Sequence, residues 1–331
     1  MGSSQPEVDQ ALGQAAELIA GAEMVALACH VAPDGDALGS MLALHHLARR
    51  AGVKSVASWP EPFVAAPHYQ FLPGLGLATN PADFPAEPDV MVTFDCGSLA
   101  RLGELAAVAE HCRGLGHLVV LDHHATNDRY GSVNAVDPSA AATAVVVRQL
   151  AEHLGWPLTR EAAICLYTGL VTDTGRFQHS NTTPEVFWLA HELSLFDLPI
   201  GQMSRSLFEE HRFAYLKLVA ACLERAQLDV ELGFVCTWVT EDDLRRFDVT
   251  LEETEGLIDL VRRAAEAEVS CVLKDAPEGV RVSLRALSRV DVGAIATGFG
   301  GGGHRFAAGF TYAGTVDQAL AALRAALGAG G

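Results

Sequence analysis

The stretch "ACHVAPDGDALGS", Ala28 to Ser40, sets His30, Asp34 and Asp36 close together directly after an apolar run. A histidine and two carboxylates this near each other either repel on a solvated surface or share a cation. Other groups have the same placement. "VMVTFDCG" ends an apolar run at Asp95, "LVVLDHH" ends another at Asp122, His123 and His124, and "LYTGLVTDTGRF" puts Asp173 at the end of a helix-like run. Taken singly, an Asp after a strand is ordinarily a helix cap or turn former, and a lone His is packed or solvated. Jointly, several uncompensated carboxylates meeting in one crevice would be costly unless cations offset them. Imidazole and carboxylate donors without thiolate suit Mn²⁺, with Mg²⁺ or Co²⁺ as alternatives, better than a structural zinc.

Such a meeting needs elements that end at one place. Strand-like runs at Met24 to Cys29, Ser55 to Trp59, Val90 to Phe94 and Leu118 to Leu121 alternate with helix-like segments such as Ala37 to Ala51 and Ser98 to Cys112. That βαβα pattern predicts an α/β fold with a mainly parallel sheet, in which ligands collect beyond the carboxyl ends of the strands. Helices over Ala142 to Leu154 and Arg160 to Val171 complete this half. The apolar periodicity lapses around Phe196-Asp-Leu-Pro-Ile-Gly, and a helix near Arg212 to Arg225 leads into a smaller α/β region. There, a strand at Phe234 to Val239, a hairpin of Val269 to Leu273 with Val280 to Leu284, a helix near Val292 to Thr297 and a closing helix are expected. The expected organisation is a first domain over 1–195, a linker over 196–215 and a second domain over 216–331.

With 331 residues and a formal charge of −18, the chain has room for two cores but little basic surface; Lys occurs only as Lys54, Lys217 and Lys274. Long nucleic acids are therefore unsuitable partners, and an anionic substrate must be short and locally bound. The 7 cysteines are scattered, with no C-x-x-C pair, which argues against a disulfide framework and for a reducing cytoplasm. Cys29 and Cys96 adjoin site residues, yet strand alternation turns neighbours to opposite faces and assigns both to the core. His45, His46, His68, His111, His117, His153, His179, His191 and His211 lack acidic partners at ligand spacing and are expected in core or surface roles. The start of the chain has no charged n-region with an apolar core, and no uncharged apolar run reaches membrane length, so no membrane association is expected. The absence of a G-x-x-x-x-G-K-[ST] loop removes the P-loop nucleotidases.

These motifs together resemble the Asp-His-His (DHH) phosphoesterases. The resemblance runs through "HVAPDGDALGS", "FDCG", "DHH" and "TDTG", and then "VSLRALSRVDVGAIATGFGGGGHRFAAG", which is similar to the DHH-associated C-terminal domain. It implies a pair of Mn²⁺ ions, His30 and Asp34 holding one, Asp36, His123 and Asp173 the other, and Asp95 bridging them. Asp122 would orient its neighbours, and His124 would hold a phosphoryl oxygen or protonate the departing one. The implied chemistry is metal-assisted phosphoester hydrolysis in a cleft between the two domains.

In "GFGGGGHRFAAGF", the backbone N–H groups of Gly300, Gly301, Gly302 and Gly303, followed by His304, could hold an anion, and Arg285 offers a fork for phosphate. Within the family the chain is most similar to the nanoRNases, bifunctional oligoribonucleases that also dephosphorylate 3′-phosphoadenosine 5′-phosphate (pAp). Their substrates, short RNA oligonucleotides and pAp, are the implied partners, with a homodimer as an open assembly. Ala286 departs from the pattern, standing where this group commonly has Ser, at a position the resemblance ties to the terminal-phosphate grip. The competing readings are a phosphodiesterase of cyclic dinucleotides or their linear products, an inorganic pyrophosphatase or exopolyphosphatase, and a non-catalytic nucleotide sensor. The pyrophosphatases use an Arg-Lys-Lys cluster absent here, and a sensor would be expected to have lost metal ligands.

Overall fold

The computed structural model describes residues 5–329. Residues 1–4, on which part of the N-terminal reading rests, and residues 330–331, the end of the expected second domain, lie outside the described residues. The chain forms two compact units, Met1–Leu207 and Phe208–Gly331.

The first unit contains, in order, α1 (Gln5–Gly21), β1 (Met24–Cys29), α2 (Gly35–Arg50), β2 (Lys54–Ser58), β3 (Val90–Phe94), α3 (Ala106–Leu115), β4 (Leu118–Asp122) and β5 (Val133–Val136). It continues with α4 (Thr143–His153), α5 (Arg160–Asp173), α6 (Pro184–Ser194) and α7 (Ile200–Phe208). Its strands form a parallel sheet in the order β2-β1-β3-β4-β5. Strands β1, β3 and β4 are buried nearly throughout, which is why they read as unbroken apolar runs. The connection direction reverses between β1 and β3, so the crevice beyond their carboxyl ends is the ligand position of such a sheet. Cys29 pairs with Phe94, which brings the residues that follow them, His30 and Asp95, side by side.

Helices α2 and α5 pack closely over this end of the sheet because glycines remove the side chains between them. A Cβ on Gly39 would lie 2.4 Å from the carbonyl oxygen of Cys165, and one on Gly169 would lie 2.5 Å from Oδ1 of Asp36. The segment expected as a helix from Ser98 is 3₁₀ turns over Leu99–Leu105 before α3 begins. Inside the stretch expected as a linker, α7 is helical and buries Met203 and Leu207.

The second unit contains α8 (Phe213–Glu224), β6 (Gln227–Asp229), β7 (Phe234–Val239), α9 (Glu241–Phe247), α10 (Leu257–Val261), β8 (Val269–Ala276) and β9 (Gly279–Ala286). It ends with α11 (Val292–Gly298), β10 (Gly302–His304), β11 (Ala307–Tyr312) and α12 (Val316–Ala329). Its mixed sheet runs β10-β11-β9-β8-β7-β6. Alternate residues feed two cores: Cys271, Leu273, Val282, Leu284 and Phe310 in one, Val235, Val239 and Val272 with Tyr215 of α8 in the other. No helix among the described residues is long and apolar enough to cross a membrane. All the cysteines, Cys29 and Cys96 included, are buried free thiols.

His45 of α2 is 2 % exposed, with Nδ1 2.8 Å from Ser55 Oγ on β2 and Nε2 buried without a partner. Burial, then His46 and Arg49, push its pKa down to about 4. The folded protein therefore refuses a proton that the unfolded chain accepts near pH 6.5. Stability contributed by neutral His45 is complete above about pH 6.5 and is lost as pH falls toward about 4. His45→Gln is expected to reduce the loss of unfolding free energy between about pH 7 and pH 4.5 by roughly 2 kcal/mol, measured by urea titration. An unchanged pH profile would rule His45 out as a source of acid sensitivity.

Candidate metal and phosphate site

The acidic constellation assembles at the switch point of the first unit's sheet. Asp34 caps α2, its Oδ1 accepting from the N–H groups of Asp36 (3.1 Å) and Ala37 (3.0 Å), which turns the loop after β1 back over the crevice. Asp36, fully buried in the first turn of α2, accepts from Ser40 Oγ at 3.1 Å and from the N–H groups of Thr143 (2.5 Å) and Ala144 (3.0 Å). Its carboxylate thus meets the positive end of α4. Asp95 follows β3 with φ of +52°, a left-handed conformation that Asp tolerates better than most residues. Backbone strain of this kind is retained where surrounding structure over-determines it, and it collects at functional positions.

Asp95 stands between two sets of donors. Its Oδ2 lies 3.6 Å from His30 Nε2, and its Oδ1 lies 3.5 Å from His123 Nε2 and 3.4 Å from His124 Nδ1. His123 Nε2 also lies 3.8 Å from Asp36 Oδ2 and 3.2 Å from Asp173 Oδ2. Ligand atoms of His30, Asp34 and Asp95 converge within 4.8 Å of one another, and so do those of Asp36, Asp95 and His123, and of Asp95, Asp122 and His124. Both imidazoles are anchored by the outer nitrogen: His30 Nδ1 is 2.8 Å from Val31 O and His123 Nδ1 is 3.2 Å from Ala140 O. Donation to those carbonyls leaves the Nε2 lone pairs aimed at the carboxylates, the orientation a metal-ligating histidine takes.

The electrostatics fit a cation. Burial, and then Asp95 and Asp173, raise the Asp36 carboxyl well above its usual range. Burial would raise Asp95 too, yet His124, His30 and His123 hold it well below that range. This donor set, carboxylate and imidazole with no thiolate, suits hard or intermediate divalent ions. Asp122 and His124 form a separate pair at 2.7 Å, in which His124 Nδ1 faces Asp122 Oδ1. Burial opposes charge on both; Asp122 and Asp95 nevertheless push His124 up to about 10, and His124 keeps Asp122 below its ordinary value.

Several contributors carry no local sequence signal. Thr143 Oγ1 donates to Asp95 Oδ1 at 2.9 Å. Asn127 Nδ2 donates to Asp122 Oδ2 at 2.5 Å and to Cys96 O at 3.2 Å. Arg101, exposed on the turns after β3, places NH2 3.0 Å from His30 Nδ1. His153, expected to lack an acidic partner, has Nε2 3.1 Å from Asp9 Oδ1, remote in sequence and exposed.

In the second unit Arg285 lies on β9 opposite Ala307 and Ser270, its NH1 donating to Leu284 O at 3.0 Å. Glu255, exposed beside Lys274, reports the local charge: Lys274 first, then Arg281 and Arg285, keep its carboxyl below its usual value. The glycines of 300–303 divide the work. The N–H groups of Gly300 and Gly301 donate to Thr297 O (3.0 Å) and Ala296 O (2.9 Å), closing the end of α11. Gly302, Gly303 and His304 form β10 against β11, and a Cβ on Gly303, at φ of +136°, would meet Ala307 O at 2.6 Å.

Comparison with known proteins follows the same two units. Residues 24–170 match the DHH family, N-terminal domain, and residues 233–329 match the DHHA1 domain. The bifunctional oligoribonuclease and PAP phosphatase NrnA of Thermus thermophilus is 34 % identical over 296 residues, covering 88 % of this chain and 86 % of that protein. The protein of the same name from Bacillus subtilis is 27 % identical over 289 residues, covering 85 % of this chain and 86 % of that protein. An exopolyphosphatase-related protein from Bacteroides fragilis superposes with a TM-score of 0.86 at 23 % identity, over 98 % of this chain and 96 % of the other, a likeness of fold. Sequence, sheet topology and the order of the motifs agree: the chain belongs to the DHH family and carries a DHHA1 domain after its DHH domain.

Proposed function

We propose that the chain is a dimetal phosphoesterase that hydrolyses short oligoribonucleotides to nucleoside monophosphates and removes the 3′-phosphate of pAp to give AMP. The observation that carries this reading is the convergence of His30, Asp34, Asp36, Asp95 and His123 at one end of the parallel sheet. The activities for which the Thermus and Bacillus relatives are named, oligoribonuclease and PAP phosphatase, supply the substrate class. His30 and Asp34 would hold one ion, and Asp36, His123 and Asp173 the other, with Asp95 shared. Mn²⁺ is the favoured ion, with Mg²⁺ or Co²⁺ as alternatives. When bound, such a pair supplies Lewis acidity toward phosphoryl oxygens and a nucleophile at neutral pH.

The chain's own groups do the rest. Asp122 accepts from His124 Nδ1 and so orients the imidazole, leaving its Nε2 to hold a phosphoryl oxygen or to pass a proton to the departing oxygen. Arg285, His304 and the backbone of 302–303 would hold the far end of the nucleotide. Gly300 and Gly301 give their N–H groups to the end of α11, and Gly302 and Gly303 pair with β11.

Length is the discriminating test. A formal charge of −18 repels each added phosphate beyond the site, so rates should be highest on di- to pentanucleotides and fall on longer strands. Product analysis of labelled RNAs of graded length beside pAp, with Mn²⁺ present, measures this. Equal efficiency on a trinucleotide and on a strand of about fifty nucleotides at physiological salt would overturn the short-substrate reading.

A further inference from the structure

The first residue of α4 touches both halves of the carboxylate cluster. Thr143 gives its backbone N–H to Asp36 Oδ2 at 2.5 Å and its hydroxyl to Asp95 Oδ1 at 2.9 Å, and its side chain is fully buried. The two acceptors belong to different loops, after β1 and after β3, and no covalent neighbour relates them. Asp95 itself has two unlike oxygens: Oδ2 faces His30, while Oδ1, the one that accepts from Thr143, faces His123. A carboxylate can serve both sides only if its plane is fixed about the Cβ–Cγ bond, and the left-handed backbone of Asp95 sets the position of Cβ but not that torsion.

We infer that Thr143 is a positioning residue that sets the bridging orientation of Asp95, and that its hydroxyl chiefly determines the affinity of the ion on the Asp36 and His123 side. This rests on the dimetal reading of the site. The hydroxyl is a charge-assisted donor to Oδ1, and it holds that oxygen toward His123 without meeting an ion itself. The N–H to Asp36 is a backbone group and survives any side-chain substitution, so the Asp36 carboxylate should keep its place when the hydroxyl is removed. On the other side, His30 and Asp34 are fixed by their own partners, Val31 O and the first turn of α2. Loss of the hydroxyl therefore acts on the sides unequally.

The test is Mn²⁺ binding to the metal-stripped full chain, by titration calorimetry and by electron paramagnetic resonance, for the wild type, Thr143→Val and Thr143→Ser. Val keeps the branched shape at the start of the helix and deletes only the donor. The expected result is that the wild type binds a pair of ions, that Val binds one of them about ten- to a hundredfold more weakly and the other within about threefold, and that Ser restores both. The spin-coupled signal of a bridged Mn²⁺ pair should weaken in Val and return in Ser. Two outcomes would overturn the inference alone: unchanged affinities in Val, or equal weakening of both ions with a matching fall in the thermal midpoint of the metal-free protein, which marks a merely structural role. Binding of a single ion by the wild type would overturn the dimetal reading itself and this inference with it.

Discussion

Asp95→Asn is expected to lower kcat for pAp and for dinucleotides by at least about a thousandfold, close to 4 kcal/mol of transition-state stabilisation. The size follows from its place. Among the described residues Asp95 is the acidic one whose separate oxygens face His30 and His123, so a single change disturbs both groups of candidate ligands. Asn is the proper substitute because Asp95 has φ of +52°; Asn accepts the left-handed region, whereas Ala would add backbone strain and confuse a folding defect with a chemical one. The neutral amide keeps the shape, can still accept from Thr143 through its oxygen, and removes the charge that offsets a divalent ion. Binding of pAp should survive more than turnover does. A kcat within about tenfold of wild type, only ~1.4 kcal/mol, would be too small for a shared ligand and would remove Asp95 from the centre of the chemistry.

The site was legible where the chemistry falls at the ends of strongly patterned elements. His30, Asp95 and Asp122 each close an apolar strand, and a parallel sheet carries strand ends to one edge whatever lies between them. The contributions of Thr143, Asn127 and Arg101 were not legible, because each acts on a residue distant in the chain through a contact that only the tertiary fold creates. Thr143 sits in "SAAATAVVV", which reads as the start of a helix and nothing more. Short elements escaped for a different reason: β5, β10 and β6 span too few residues for a period-two pattern to rise above composition. Helix α7 was hidden by the Pro and Gly that precede and open it, although Ile200, Met203 and Leu207 follow helical spacing. The glycine run shows how sequence overstates a motif. Its composition promises a row of free N–H groups, while the fold uses the first of them to finish α11.

The proposed division of labour between the units gives the other large effect. The candidate metal ligands all precede Phe196, and the candidate anion donors lie at Arg285 and from Gly302 to His304. If the second unit holds the far end of the nucleotide, Arg285→Ala and His304→Ala should each lower kcat/KM for pAp and dinucleotides about ten- to a hundredfold, the weight of a charge-assisted contact of roughly 1.5–3 kcal/mol. Bis-p-nitrophenyl phosphate has no such far end and an activated leaving group, so its hydrolysis should fall by no more than about threefold in the same variants. Arg285 lies on an interior strand beside Lys274 and Arg281, and removing one of several neighbouring cations leaves Glu255 compensated, so the fold should hold. Equal losses on both substrates in Arg285→Ala and His304→Ala would mean that these groups act on the reacting phosphate itself, and the assignment of Arg285 and His304 to the far end of the substrate would fail.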